Sequence, residues 1–192
     1  MVYTVEEKRK RLKEIIKERG IVIGDVTLAS NRKSKFYYDI KKIVSEPEGA
    51  YLIGELMFAK ILKIEPKTRS VGGLESGSIA ISTAIVCSSF QLSPTNGIFG
   101  FFVRKSEKTY GLKKRVEGIA REPAVVVDDV ITTGKSTLDA VSALWSQGIT
   151  NINILSVIDR ETNENLLEKE KIPYHSLFKH SEFAGYIESR IS

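Results

Sequence analysis

The stretch from Val125 to Thr137 reads VVVDDVITTGKST. Its tail, GKST, matches the end of a nucleotide-binding P-loop, G-x-x-x-x-G-K-[ST], whose glycines let backbone N–H groups wrap a triphosphate. Counting back from Gly134, the first glycine of that motif falls at Asp129. A carboxylate there faces the phosphates the loop must surround, so the triphosphate reading fails at an essential position. Read forward, three valines form a buried strand that delivers Asp128 and Asp129 to its carboxyl end, the edge where open parallel sheets bind ligands. Val130 and Ile131 then lead into Thr132, Thr133, Gly134, Lys135 and Ser136, hydroxyls and backbone N–H groups at a helix start. Such a start suits one phosphate monoester. Two acids beside it suit the diol of a ribose, or a hydrated magnesium ion bridging it. The expected ligand is therefore a ribose 5-phosphate. One acid before a helix is usually a cap. Two acids after three valines, followed by five phosphate-competent residues, are much less often accidental.

Outward from this stretch, apolar strands alternate with helices. TRSVGGL and GIFGFFVRK read as strands, SGSIAISTAIVCSS between them as a buried helix, and AVVVDDV as the next strand. GKSTLDAVSALWSQG is a helix closed by Gly148, NINILSVIDR a strand, NENLLEKEK a helix and PYHSLFKH a last strand. Near-continuous apolar strands alternating with helices predict a parallel sheet covered on both faces. The first sixty or so residues break the alternation and read as a cap. They comprise an amphipathic helix over residues 5–19 stopped by Gly20, two extended runs (IVIGDVTLA, then SNRKSKFYYDIKKI after a polar turn), and a helix opened by Pro47. Trp145, the methionines and most phenylalanines read as core.

Composition narrows the function classes. At 192 residues, 42% hydrophobic and 28% charged, the chain can bury a core without disulfides or metal. No apolar run reaches membrane-spanning length, the charged start resembles no secretion signal, and Cys87 has no partner; a reduced, cytoplasmic protein is expected, with Cys87 buried. The net charge of +5 favours polyanionic small molecules or nucleic acid, without deciding between them.

The segment VVVDDVITTGKST resembles the phosphoribosyl-diphosphate (PRPP) motif of type I phosphoribosyltransferases. Across roughly residues 25 to 165, further segments resemble orotate phosphoribosyltransferases in that family's order. VTLASNRKSKFYYD resembles the segment whose aromatic pair, here Tyr37 and Tyr38, borders the orotate ring. VGGLESGSIA stands where a loop receives pyrophosphate, through Glu75, Ser76 and Gly77. FFVRKSEKTYG resembles the mobile catalytic loop, with Arg104, Lys105, Lys108 and Tyr110 among the PRPP contacts. In DDVITTGKS, residues 128–136 contact PRPP and Thr132 also touches orotate. SVIDRE puts Arg160 where the family holds orotate's carboxylate.

The resemblance implies an α/β fold of the type I phosphoribosyltransferases. A central, mostly parallel sheet has helices on both faces and a small N-terminal hood. One domain spans 1–192, about 1–62 being N-terminal helix and hood and about 63–192 core. It also implies a reaction, orotate plus PRPP giving orotidine 5′-monophosphate and diphosphate in pyrimidine (UMP) synthesis. Magnesium would be held through PRPP and water rather than by direct protein ligands. A homodimer follows from the same kinship, with no nucleic acid or membrane partner. Lys108, Asp128 and Asp129 would be the catalytic residues.

The residues support these roles by their own chemistry. A cationic, glycine-containing loop suits closure over a diphosphate, although most charge runs are solvated surface. An arginine at a strand end can grip a planar carboxylate, or pair with its neighbours Asp159 or Glu161. Adjacent tyrosines on a strand face opposite ways, so one stacks on the base and the other packs. His175 and His180 fall outside every motif and read as structural or exposed. Three positions depart from the family: Ala29, Ser76 and Tyr110 stand at usually cationic sites, with Lys33, Lys35 or Lys135 able to compensate. A purine phosphoribosyltransferase, or a PRPP-sensing regulator on the same fold, therefore stays open.

Overall fold

The computed structural model describes residues 3–27, 33–106 and 114–191. Thr4 opens the first helix, α1 (Val5–Ile15), with a capping box: its hydroxyl accepts the Glu7 N–H at 3.2 Å, and the Glu7 carboxylate accepts the Thr4 N–H at 2.7 Å. A wider turn over Ile16–Gly20 delivers the chain into β1 (Ile21–Thr27), which pairs antiparallel with β2 (Lys33–Tyr38). The second extended run stops sooner than its sequence predicts. The Asp39 carboxylate accepts the Lys42 N–H at 3.1 Å and starts a short helix, α2 (Ile40–Val44), where strand was expected. Pro47 then begins α3 (Pro47–Ile64).

From here the chain builds a six-stranded sheet. Its strands are β3 (Ser70–Gly72), β4 (Phe99–Val103), β5 (Val116–Gly118), β6 (Ala124–Ile131), β7 (Ile152–Asp159) and β8 (Tyr174–Lys179), in the spatial order β5-β4-β3-β6-β7-β8. All neighbours run parallel except β4 and β5. The helices between them are α4 (Gly77–Leu92), α5 (Lys135–Trp145) and α6 (Leu166–Lys169), and α7 (Ala184–Ile191) follows β8. The sheet is buried on both faces, as the apolar strands require. On one face Val125 and Val127 join a cluster with Leu12, Met57, Ile81 and Phe178; on the other, Val126 joins Ile154, Ala140, Leu144 and Leu167. Leu12, Ile15 and Ile16 of the N-terminal helix thus share a core with the central strands. Strand order reverses between β3 and β6. The chain winds outward in one direction from β3 through α4 and in the other from β6 through α5, so a crevice opens at their carboxyl ends.

Other features also differ from expectation. Strand β5 and helix α7 carry too little pattern to be read. Cys87 is exposed, because only one face of α4 meets the sheet and α3. Trp145, expected in the core, is 47% exposed at the last turn of α5, beyond the edge of the cluster that Leu144 enters. Among the described residues no helix is long and apolar enough to cross a membrane.

Candidate active site

The crevice at the β3/β6 junction is a cleft of about 280 Å³. One wall is the opening stretch itself: Asp128, Asp129, Val130, Ile131, Thr132, Thr133, Gly134, Lys135 and Ser136 all line it. Asp128 is held from two sides. Its carboxylate accepts the Thr137 hydroxyl at 2.9 Å and the Asp129 N–H at 3.0 Å. Loss of solvent, reinforced by the charge of Asp129, pushes the Asp128 carboxyl up to about 7. The Thr132 carbonyl accepts the Thr162 hydroxyl at 2.6 Å, and the Thr133 carbonyl accepts the Leu166 N–H at 2.9 Å. With those oxygens turned back into the protein, the loop presents its N–H side, and the free first-turn amides of α5 extend the same surface. Gly134 makes the bend possible. Its φ is +72°, and an added Cβ would lie 2.8 Å from Leu167 Cγ.

The facing wall is Leu74, Glu75, Ser76 and Gly77, between β3 and α4. The Glu75–Ser76 peptide is cis. Gly77 lets this wall approach the acids, because a Cβ there would sit 3.0 Å from Asp129 Oδ1. Lys105 also lines the cleft, and its N–H donates to Glu75 Oε1 at 2.9 Å. Arg104 does not line it. The Arg104 N–H donates to the Arg115 carbonyl at 2.8 Å, and its carbonyl accepts two guanidinium N–H groups of Arg115 at 3.1 Å, so Arg104 continues the β4–β5 ladder. Lys108 and Tyr110, like Ala29, lie outside the described residues. Among the described residues no group of three or more His, Cys, Asp or Glu could cage a metal ion. Two adjacent carboxylates open to one cleft instead suit a cation that keeps most of its waters and ligand oxygens.

The far end gathers residues from distant segments. Arg160, just past β7, is half-buried; it donates to Ser34 Oγ at 2.8 Å and lies 4.5 Å over the Phe36 ring. Burial lowers its pKa, yet a guanidinium stays charged. Among the described residues no carboxylate pairs with it. Asp159 instead accepts the Glu161 N–H, and Glu161 meets the Ser181 N–H and Lys179. A half-buried cation without a counter-ion is poised for an anionic ligand. Both tyrosines line the cleft, to different depths. Tyr38 is buried and bonded to His180 Nδ1 at 2.8 Å, while Tyr37 is partly exposed on the cleft wall, its pKa raised by burial and by nearby Asp129.

Sequence reasoning missed several residues. Lys41 lines the cleft from the first turn of α2, and its signal was Asp39, a capping residue one step ahead of a helix. Of the cations expected to compensate, Lys135 reaches the cleft, whereas Lys35 pairs with Asp25 on the outer hairpin. Ser34, Phe36, Thr137 and His180 escaped because only tertiary packing brings them to the site.

A turn of backbone amides at the carboxyl edge, twin acids and a facing loop are the features of a type I phosphoribosyltransferase. Accordingly the chain superposes on the crystal structure of a phosphoribosyltransferase from Corynebacterium diphtheriae with a TM-score of 0.77, at 27% identity over 92% of this chain and 98% of that one. No family model matches the chain. It is, however, 40% identical over 182 residues to the orotate phosphoribosyltransferase of Aquifex aeolicus (strain VF5), covering 91% of this chain and 97% of that protein. The Mycobacterium tuberculosis H37Rv orotate phosphoribosyltransferase, crystallised in complex with PRPP, aligns with a TM-score of 0.72 at 29% identity, over 92% and 99% of the two chains. The chain belongs to the orotate phosphoribosyltransferase family.

Proposed function

We propose that this cleft transfers the phosphoribosyl group of PRPP to orotate, releasing diphosphate. The observation that carries the reading is the span of the cleft. At one end it holds a backbone turn suited to a phosphate, and at the other a half-buried arginine with no carboxylate partner among the described residues. The turn at 132–136 holds the 5-phosphate, and Asp128 and Asp129 hold the ribose hydroxyls while offsetting positive charge on the ring as its anomeric bond breaks. Glu75, Ser76 and Gly77 receive the diphosphate beside Lys105. Arg160 grips orotate's carboxylate and turns the ring nitrogen toward the anomeric carbon, a positioning effect, with Thr132 near the base and Tyr37 against the ring. Orotate is already an anion, so no strong base is required. Asp128 and Asp129 are the residues that would help hold a hydrated magnesium ion, which would supply positive charge against the leaving diphosphate. Lys108 is the chief loop cation; Lys108→Ala should lower kcat far more than it weakens PRPP binding, and a raised KM at unchanged kcat would show uniform binding instead.

The protein is further proposed to be a cytoplasmic homodimer. Ile79 and Phe90 stand exposed on one face of α4 near Cys87, an apolar face that a second copy would cover. Phe90→Asp should shift sedimentation to the monomer; an unchanged profile would place the contact elsewhere. The decisive assay is loss of orotate absorbance with PRPP and magnesium, alongside hypoxanthine, guanine and adenine. Orotate alone should be consumed. Turnover of a purine with orotate untouched would overturn the reading.

A further inference from the structure

Arg160 reaches the cleft on a long, flexible side chain, so something must hold it before a ligand arrives. Ser34, Phe36 and Tyr38 alternate along β2 and share one face. Ser34 accepts from Arg160, and the Phe36 ring underlies the guanidinium. Phe36 also lies parallel to the His180 imidazole, with centroids 5.2 Å apart and planes within 5°. His180 Nδ1 in turn meets Tyr38 Oη at 2.8 Å, and Tyr38 packs edge-on to both Phe36 and Phe183. The imidazole thus fixes two rings of β2, one of which supports the arginine.

We infer that His180 is a positioning residue for base recognition, holding Phe36 and Tyr38, and through them Arg160, in the arrangement that receives an anionic base. The inference rests on the proposed role of Arg160. It requires a neutral imidazole. With its proton on Nε2, Nδ1 accepts the Tyr38 O–H; a second proton would turn Nδ1 into a donor, strand that hydroxyl hydrogen in a buried site, and set a new cation near Arg160. The groups around His180 are mixed. Tyr38 faces it from β2, Arg160 and Glu161 from the segment after β7, and Glu188 from α7, with Lys179 and Glu182 on its own segment. Burial, then Arg160, lowers its pKa against the opposing pull of Glu161 and Glu188. The imidazole is therefore neutral at neutral pH and charges on the acid side.

Steady-state kinetics between about pH 5.5 and 8 test this in the full-length enzyme, comparing wild type with His180→Ala, His180→Asn and Arg160→Ala. His180→Ala should raise orotate KM about tenfold while leaving PRPP KM and kcat within about twofold. The amide of His180→Asn can accept the Tyr38 O–H but cannot titrate. It should recover most of the orotate affinity and abolish the rise in orotate KM expected of wild type on the acid side. Unchanged orotate KM in His180→Ala, or orotate and PRPP KM rising together, overturns the inference. The Arg160→Ala arm separates the two levels. If it raises orotate KM while His180→Ala does not, only the positioning role falls; if it leaves orotate KM unchanged, the base-gripping reading falls too.

Discussion

The two ends of the cleft are built by opposite strategies. The end proposed to take the sugar phosphate comes from one continuous run, residues 128–136, and presents mainly backbone amides aimed by a bend. The end proposed for the base is assembled from Ser34, Phe36 and Tyr38 on a hairpin, Arg160 after β7 and His180 after β8. Backbone donors survive most side-chain changes but depend on chain geometry, so the first end should be vulnerable chiefly at its glycine. A site made of packed side chains should fail wherever one of them is shortened, and fail for one substrate at a time.

The largest effect is expected from Gly134→Val. A β-branched residue at φ +72° is strained, and its Cβ would meet Leu167 Cγ at 2.8 Å. Stability should fall by about 2 kcal/mol or more, and PRPP heats in calorimetry should vanish. A variant of normal PRPP affinity would break the comparison, because the bend would then not be what aims the amides. Next comes Arg160→Ala. Loss of charge-assisted hydrogen bonds worth about 1.5–3 kcal/mol should raise orotate KM roughly 10- to 100-fold, with PRPP affinity near normal. Equal losses for both substrates would show that the two ends are not separable.

The same contrast governs what could be read from the chain. The run from Val125 to Ser136 announces its strand, acids and turn because every contributing residue is adjacent in sequence. Arg160 was legible as a strand-end arginine, but only the resemblance favoured a ligand over its neighbours Asp159 and Glu161, which the fold directs elsewhere. Phe36 was passed over beside two tyrosines, although it lies under the guanidinium. His180 had no signal, since its stack exists only once β2 and β8 have docked. Arg115 carries no signal of its own in the sequence, because its partners Arg104 and Asp139 lie 11 and 24 residues away. Helix α2 and strand β5 were lost for another reason: five and three residues carry too little periodicity to compete with their surroundings. Cys87 and Trp145 were misplaced because an apolar residue on a helix reads as core whether or not its face finds a partner.

A third prediction concerns pH and belongs to the sugar end alone. With its carboxyl pushed up to about 7, Asp128 is largely protonated in slightly acidic solution. Holding ribose hydroxyls and offsetting a cationic ring both call for the carboxylate. The kcat/KM for PRPP should therefore fall on an acid limb centred near 7, by about tenfold per unit well below it. Stability runs the other way. The folded protein binds this proton more tightly than the unfolded chain, whose carboxyl titrates near 3.8. The Asp128 contribution is thus fully present below that value and is lost as pH rises through about 7, so Tm of the free protein should drop across this window. Asp128→Asn should flatten that part of the Tm profile. An acid limb in PRPP kinetics that persists unchanged in a weakly active Asp128→Asn enzyme would assign the titration to another group.

The smallest expected effect tests whether the ends communicate. Arg115 gathers three elements. Two of its N–H groups donate to the Arg104 carbonyl at the root of the basic segment, and Nη2 also meets Asp139 Oδ2 at 2.7 Å on α5, the helix that begins in the phosphate turn. The clip thus ties the chain just after β4 to the helix that starts at Lys135. The Arg115–Asp139 pair is partly solvated, with side chains 26% and 41% exposed, so its contribution is at most about 1 kcal/mol and is screened by salt. Asp139→Asn should accordingly lower kcat only about two- to threefold at low ionic strength, with the difference closing at high salt. Orotate KM should stay at the wild-type value, since none of the groups around Arg160 touches this clip. A shift in orotate KM would mean that the side-chain-built end answers to the loop root after all, and the division between the two ends would have to be redrawn around α5.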